Sequence, residues 1–127
     1  MRLQAVRSRS GRVIDFVWHF ASDAAAALLR CGPGVLPGKH LGAWQDAGPP
    51  GQPALVDRYR GIFEQGRTQS FDHTHWVDGR QDVVIHRVVR EADGVAVTLI
   101  NLSANRRAQA LRLQIESAQT PQRARRR

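Results

Sequence analysis

Residues 83–103 read Val-Val-Ile-His-Arg-Val-Val-Arg-Glu-Ala-Asp-Gly-Val-Ala-Val-Thr-Leu-Ile-Asn-Leu-Ser, and this stretch decides the fold. Two runs rich in β-branched residues flank Asp93-Gly94, a dipeptide typical of the tight turn of a β-hairpin. Such a turn needs a positive φ, which glycine adopts without strain. The second predicted strand ends at Asn-Leu-Ser, where the pattern becomes helical. We therefore predict a sheet that passes directly into a helix at Ser103.

Further extended segments place this hairpin in a larger sheet. Along residues 13–20 the large apolar side chains fall on every second residue, which is the period of a β-strand. We predict that the buried face of this strand carries Ile14, Phe16, Trp18 and Phe20. Wherever one predicted strand follows another directly, the link is a tight hairpin, so the sheet is predicted to be antiparallel. The five predicted strands are residues 3–7, 13–20, 68–76, 81–90 and 95–102.

Helical patterns occupy the middle of the chain. Ser22 is placed to cap a short helix over residues 24–29, because its hydroxyl can accept a hydrogen bond from an exposed backbone N–H. Residues 54–65 form the strongest helical pattern, which ends at Gly66. Its apolar residues lie at i, i+4, i+7 and i+8 and form one stripe: Leu55, Tyr59, Ile62 and Phe63. Both helices are predicted to cover one face of the sheet.

Two further segments complete the domain. Residues 31–53 contain five of the six prolines, so we predict an irregular cover whose apolar residues close over the core: Val35, Leu36, Leu41 and Trp44. Residues 104–119 are predicted to form a helix capped by Ser103. The 4-3-4-3 spacing of a coiled-coil seam is followed over about two heptads by Ala104, Ala108, Leu111, Ile115 and Ala118. Ala108, Leu111 and Ile115 are therefore the predicted dimer seam.

The length of the chain and the distribution of its charge limit the classes of protein to which it can belong. A chain of 127 residues supports one modest core, and we assign residues 1–102 to the domain, 103–120 to the helix and 121–127 to a basic, disordered tail. The net charge of +8 is concentrated in residues 103–127, with seven Arg and one Glu, so no nucleic-acid partner is predicted. The absence of a bilayer-length apolar run and of a signal-peptide pattern predicts a cytoplasmic protein with no membrane partner. The single Cys31 excludes an internal disulfide.

Four local strings, in this order, resemble those of a PAS domain. They are Gly11-Arg-Val-Ile-Asp-Phe16, Ala21-Ser-Asp-Ala-Ala-Ala-Ala-Leu-Leu29, Gly38-Lys-His-Leu41, and Asp93-Gly-Val-Ala-Val-Thr-Leu99 followed by Asn101-Leu-Ser-Ala-Asn-Arg-Arg107. The resemblance covers about residues 3–110. It implies an α+β fold with a five-stranded antiparallel sheet in the order 2-1-5-4-3, short helices on one face and a C-terminal signalling helix. Ser22 and Asp23 replace the family's Asn-Pro pair, and Asn101 replaces a junction Asp that in relatives often pairs with an Arg.

The resemblance implies a sensory domain that binds a small ligand or a partner and relays its state through a dimerising helix. Asn101 and Ser103 are the signal junction in this interpretation. PAS relatives usually pass their signal to an output domain such as a GGDEF diguanylate cyclase or a histidine kinase, and the resemblance implies an output protein or domain outside this chain, which is either a stand-alone module or a fragment of a longer signalling protein. Two alternatives stay open: a ligand-free PAS-like module for protein association, and a small α+β enzyme for which no site is identifiable.

Candidate chemistry is sparse, and we predict neither an enzyme nor a cofactor. There is no Gly-rich phosphate loop, and Cys31 has no identifiable partner base. His73 and His75 share one strand face and His86 lies on the next strand, so three imidazoles are candidate ligands for a transition metal. A His-x-His pair on a strand is more typical of a polar outer face, and no metal site is predicted.

Some PAS relatives bind haem or flavin as a cofactor, and both cofactors are disfavoured for this chain. Haem sensors of that family carry a ligating His on the long helix, where residues 54–65 have none, and the Asn-Cys-Arg-Phe string of flavin-binding relatives is absent. The remaining candidates are aromatic side chains for an apolar ligand pocket between sheet and helices: Phe16, Trp18, Phe20, Trp44, Tyr59, Phe63 and Phe71. The same side chains would equally fill an ordinary core, and the sequence does not separate these two interpretations.

Overall fold

The computed structural model describes residues 1–44, 49–77 and 79–119. Strands β1 (Arg2–Arg7) and β2 (Val13–Phe20) are followed by helix α1 (Asp23–Leu28), a 3₁₀ turn at Leu41–Ala43 and helix α2 (Leu55–Gln65). Strands β3 (Gln69–Val77), β4 (Arg80–Glu91) and β5 (Gly94–Asn101) then lead into helix α3 (Leu102–Gln119). The predicted basic tail, residues 121–127, lies outside these ranges. Among the helices described, none is both long and apolar enough to cross a membrane.

All five strands form one antiparallel sheet in the order β2-β1-β5-β4-β3, so the predicted α+β architecture and strand order are confirmed. The irregular segment holds both edges of this sheet. At the β2 edge, Trp18 N donates to Lys39 O at 2.9 Å, and Gly38 N donates to Trp18 O at 2.8 Å. At the β3 edge, the Gln52 side chain accepts from Thr74 N at 2.8 Å and donates to Thr74 O at 3.1 Å. The edge N–H and C=O groups of Trp18 and of Thr74 are thereby hydrogen-bonded without another strand.

The helices form as their local sequence predicts. Ser22 caps α1, because its Oγ accepts from Ala25 N at 3.2 Å. Gly66 ends α2 in the left-handed conformation with φ 69°. The predicted stripe of α2 is buried in full: Leu55, Tyr59, Ile62 and Phe63. It packs on the inner face of the sheet, together with Leu36 and Leu41 of the irregular segment, whereas Val35 is exposed.

Two irregularities change which residues of β2 face the core. The register between β1 and β2 shifts between Arg2 and Leu3 and again between Val6 and Arg7, so β2 carries an extra residue near each end. A β-bulge reverses the face of the residues beyond it. Phe16 and Trp18 are buried as predicted, but Ile14 is exposed, and Phe20 is 55% exposed. The assignment of Phe20 to a ligand pocket is therefore wrong.

The hairpin between β4 and β5 turns one residue earlier than predicted. Glu91 pairs with Gly94, so the two turn residues are Ala92 and Asp93, and the positive φ of 51° belongs to Ala92. Gly94 is instead required by a close approach: a Cβ there would lie far inside van der Waals contact with the carbonyl oxygen of Leu3. This glycine lets β1 lie against β5.

Candidate functional site

The inner face of β3 and β4 carries polar groups within an apolar core. His73, His75, Asp82 and His86 are all buried. In the strand register His75 lies opposite Asp82, and opposing residues of an antiparallel pair share a face. These residues therefore lie on the face that α2 covers. The prediction of a polar outer face for the histidines is wrong.

Two of the inner-face histidines form a hydrogen-bonded chain with Tyr59 of α2. Tyr59 Oη lies 2.7 Å from His86 Nδ1, and His86 Nε2 lies 2.8 Å from His75 Nε2. The two imidazole rings are stacked, with centroids 5.1 Å apart and planes at 22°. Burial raises the pKa of Tyr59 far above its usual value, so the phenol stays neutral. The chain thus runs from helix α2 across β4 to β3.

His73 makes a separate contact, with the side chain of Gln52. Gln52 Nε2 lies 3.1 Å from His73 Nε2, and because an amide nitrogen only donates, this imidazole nitrogen accepts. Gln52 and His73 also line a cavity of about 230 Å³, together with Leu41, Trp44, Leu55 and Val56. Among the residues described, no group of three or more His, Cys, Asp or Glu side chains is arranged to hold a metal ion.

Asp82 connects this inner face to helix α3. Its side chain is 0% exposed, and its two oxygens accept from Arg107: Nη1 to Oδ1 at 2.8 Å and Nη2 to Oδ2 at 3.0 Å. Asn101 Nδ2 donates to Oδ2 at 2.9 Å, and Arg80 Nε lies 3.7 Å from Oδ1. The hydrogen bonds from Arg107 hold the pKa of Asp82 below its usual value, although burial acts in the opposite direction. A buried carboxylate with this geometry fixes the orientation of the first turns of α3.

The predicted junction residues lie at this connection, but one of them has a different role. Asn101 Oδ1 accepts from Ala104 N at 2.9 Å, so Asn101 caps α3. Ser103 Oγ accepts from Val83 N at 2.9 Å and ties the helix to β4. The prediction that Ser103 caps the helix is wrong, because α3 begins at Leu102. Asn101 bonds both the helix backbone and Asp82, and it therefore joins sheet to helix without an ion pair of its own.

The sequence analysis missed Asp82, Arg107 and Gln52. Asp82 is in phase with Val84, His86 and Val88, which are all buried, so the alternation of β4 would have found it once the inner face was known. Arg107 belongs to the string that resembles the PAS junction, but the expected carboxylate at position 101 is an amide. The carboxylate comes from β4 instead. No local pattern marks Gln52, because its partner Thr74 is distant in sequence.

The predicted pocket residues are brought together, apart from Phe20, and they mainly fill space. Phe16 makes edge contacts with Tyr59 and Phe63, with ring centroids 6.2 and 6.1 Å apart. Trp18 meets Trp44 in the same way at 6.2 Å. Phe71 stacks on His86 at 5.1 Å and 9°. Of the predicted set, Trp44 lines the 230 Å³ cavity beside His73.

We predict a characteristic acid dependence for Asp82. Because its pKa is lowered in the folded state, the carboxylate adds stability above the unfolded value of about 3.9 and loses it as pH falls through the folded value. Asp82→Asn is expected to cost about 1 to 2 kcal/mol near neutral pH, and the difference from the unsubstituted protein should shrink below about pH 4. Urea unfolding at several pH values measures this difference. A difference that stays constant with pH would rule out the assigned role.

The fold and site define an α+β domain in which buried inner-face polar groups are hydrogen-bonded to the base of a terminal helix. Comparison with known proteins gives no match: no family model, no curated protein and no solved structure matches this chain. Functional assignment therefore depends on the geometry described above.

Proposed function

We propose that this chain is a cytoplasmic, PAS-like sensory and signal-transduction domain. In this proposal a small ligand or a partner acts on the inner face of the sheet, and helix α3 carries the resulting state to a dimer partner and to an output protein or domain, such as a diguanylate cyclase or histidine kinase. A ligand shifts such a device only by binding one of two packings more tightly than the other. The proposal extends the sequence resemblance to the contacts now described.

One observation carries the proposal: Asp82 is buried on the inner face and holds Arg107 of α3 through two hydrogen bonds. If the Asp82–Arg107 pair only anchored the helix, the inner face beside it could be entirely apolar. Here His75 lies opposite Asp82 in the register, so the residue that holds α3 belongs to the same inner face as the buried histidines. This supports coupling from the interior of the domain to the helix.

The surface of α3 supports the dimeric part of the proposal. Ala108, Leu111 and Ile115 are exposed in the single chain, with Leu111 at 59%. Their spacing places them on one side of the helix, as in a two-stranded coiled coil. Leu113 is exposed to a similar degree, 57%, but lies on another side of α3. The helix therefore offers both a candidate seam residue and a matched residue outside it.

Leu111→Asp is expected to weaken the dimer about 100-fold or more, because it would bury an unpaired carboxylate in the seam. Leu113→Asp is the matched control and should leave the dimer intact. Sedimentation equilibrium over a range of protein concentrations measures both dissociation constants. Equal effects of the two substitutions, or a monomeric unsubstituted chain at high concentration, would contradict the assigned seam.

The second candidate is a PAS-like association module without a ligand. It is favoured by the aromatic side chains that fill the space between sheet and α2, with Phe16 and Tyr59 at 0% exposure. Native mass spectrometry of the purified chain separates the two candidates. A small molecule that copurifies in stoichiometric amount supports the sensor, whereas a dimer that remains ligand-free under native conditions supports the association module.

A further inference from the structure

The two edges of the sheet are closed by contacts of different kinds. At β2 the contact is main chain against main chain, because Trp18 exchanges hydrogen bonds with the backbone of Gly38 and Lys39. At β3 a single side chain makes the contact: the carboxamide of Gln52 bonds Thr74 N at 2.8 Å and Thr74 O at 3.1 Å. Main-chain bonds open only when the chain itself moves, whereas a side chain can first turn away about its own bonds. The β3 edge is therefore the more easily opened of the two.

Strand β3 has the properties of a strand that pairs with another strand. Its nine residues, Gln69–Val77, pair with β4 in one continuous register without a bulge. Proteins usually interrupt such an edge with proline, lysine or a bulge, and β3 contains none of these. Backbone groups of alternate residues point to the same side, so those of Ser70 and Asp72 point outward with those of Thr74. Among the residues described, no backbone hydrogen bond covers the edge at Ser70 or Asp72, which leaves Gln52 as its closure.

We propose that the β3 edge is a self-association surface, which Gln52 closes in this structure, and that β3 pairs antiparallel with β3 of a second copy once Gln52 releases Thr74. The Gln52 carboxamide supplies the one donor and one acceptor that the facing residue of an added strand would supply. Pairing requires the segment 49–53 to move away from the edge, and the bonds to Thr74 oppose that movement. The inference goes beyond the proposed function, because it adds a contact between copies that does not involve α3.

The composition of β3 fits a second copy as the occupant. Two identical chains associate about a two-fold axis, so β3 would face its own sequence in reverse. With the axis at Thr74, the central pair is Thr74 against Thr74, a favourable cross-strand pair, and Asp72 lies against Trp76. Only an axis at Asp72 would oppose two carboxylates directly. The chain carries a net charge of +8, but β3 contains no Lys or Arg, so the strand itself adds no positive charge to such a contact.

The test is Gln52→Ala in the full chain that also carries Leu111→Asp, so that the α3 seam does not contribute. We expect self-association to become about tenfold tighter, because the two hydrogen bonds that close the edge are lost. Sedimentation equilibrium measures the dissociation constants. Gln69→Ala is the matched control: this glutamine also lies on β3, but its side chain contacts Gln65, and its loss should leave the dissociation constant unchanged. A Gln52→Ala variant that associates no better than its Leu111→Asp parent would overturn the inference.

Hydrogen exchange of the Thr74 amide reports on the edge directly. In Gln52→Ala we expect this amide to exchange at least tenfold faster at low protein concentration, and to regain protection at high concentration, where β3 pairs. Adding Thr74→Pro removes the donor and should abolish the association, since proline is tolerated where an edge N–H points away from the sheet. Gln52→Met, which keeps the side-chain length but makes no such hydrogen bonds, replaces Gln52→Ala if that variant does not fold. Fast exchange at every concentration, or association that survives Thr74→Pro, would show that the inference is wrong.

Discussion

Replacing Gly94 by alanine is expected to destabilise the protein by about 3 kcal/mol or more. The added Cβ would overlap the carbonyl oxygen of Leu3, which is backbone and has no rotamer to change. Relief requires β1 to move away from β5. That movement breaks the β1–β5 ladder, which joins β1 and β2 to the β5-β4-β3 half of the sheet and pairs Gln4 with Gly94 and Leu3 with Val95.

The matched control is Gly61→Ala within α2. Nothing lies within 4 Å of a Cβ built at Gly61, and its backbone is helical. Alanine there is expected to raise the free energy of unfolding by about 0.5 to 1 kcal/mol, because it removes the entropy cost of a helical glycine. Urea denaturation of both variants measures these changes. If Gly94→Ala were tolerated as well as Gly61→Ala, the close approach of β1 and β5 would be wrong.

The second large effect is expected from Arg107→Ala. This substitution leaves the Asp82 carboxylate buried with Asn101 and the more distant Arg80 as its remaining partners. Removing one member of a buried pair costs about 3 to 5 kcal/mol, and because Arg107 is partly exposed we expect about 2 kcal/mol. The loss should appear chiefly as release of α3, and hydrogen exchange of the α3 amides detects it.

A double-mutant cycle isolates the interaction itself. Arg107→Ala combined with Asp82→Asn should cost less than the sum of the two single substitutions, because the second change removes the buried charge that the first leaves behind. Arg106→Ala is the control, since Arg106 is exposed and adjacent in sequence, and it should change stability by less than about 0.5 kcal/mol. Additive costs in the cycle would show that Asp82 and Arg107 do not act as a pair.

Local sequence patterns predicted the elements of this fold well. The stripe of α2, the Ser22 cap and the Gly66 terminus depend on neighbours within one or two helical turns, and all three are confirmed. The five strands are also found, within one or two residues at each end. Such features are encoded locally because spacing and backbone preference act over a few residues.

The errors arise where a second strand decides the outcome. The alternating pattern of β2 predicted that Phe20 lies in the core. The β-bulges that arise from the pairing of β2 with β1 instead expose its side chain to solvent. Asp93-Gly94 predicted the turn position correctly to within one residue, but the role of Gly94 depends on Leu3, far away in sequence. Ser103 was assigned as a cap because neither Val83 nor the start of α3 is visible from the local pattern.

Local patterns were sufficient to predict the elements, their order and the antiparallel pairing of strands joined by hairpins, because periodicity and turn chemistry are local properties. They did not determine which face of β4 lies inside. Both alternating sets of that strand are rich in β-branched residues: Asp82, Val84, His86 and Val88 on one face, Val83, Ile85 and Val89 on the other. Only the packing of α2 on the sheet decided this, and in doing so it buried the three histidines beside Asp82 and the Arg107 contact to α3. Hydrophobicity does not distinguish two equally apolar faces, so this choice belongs to the tertiary structure.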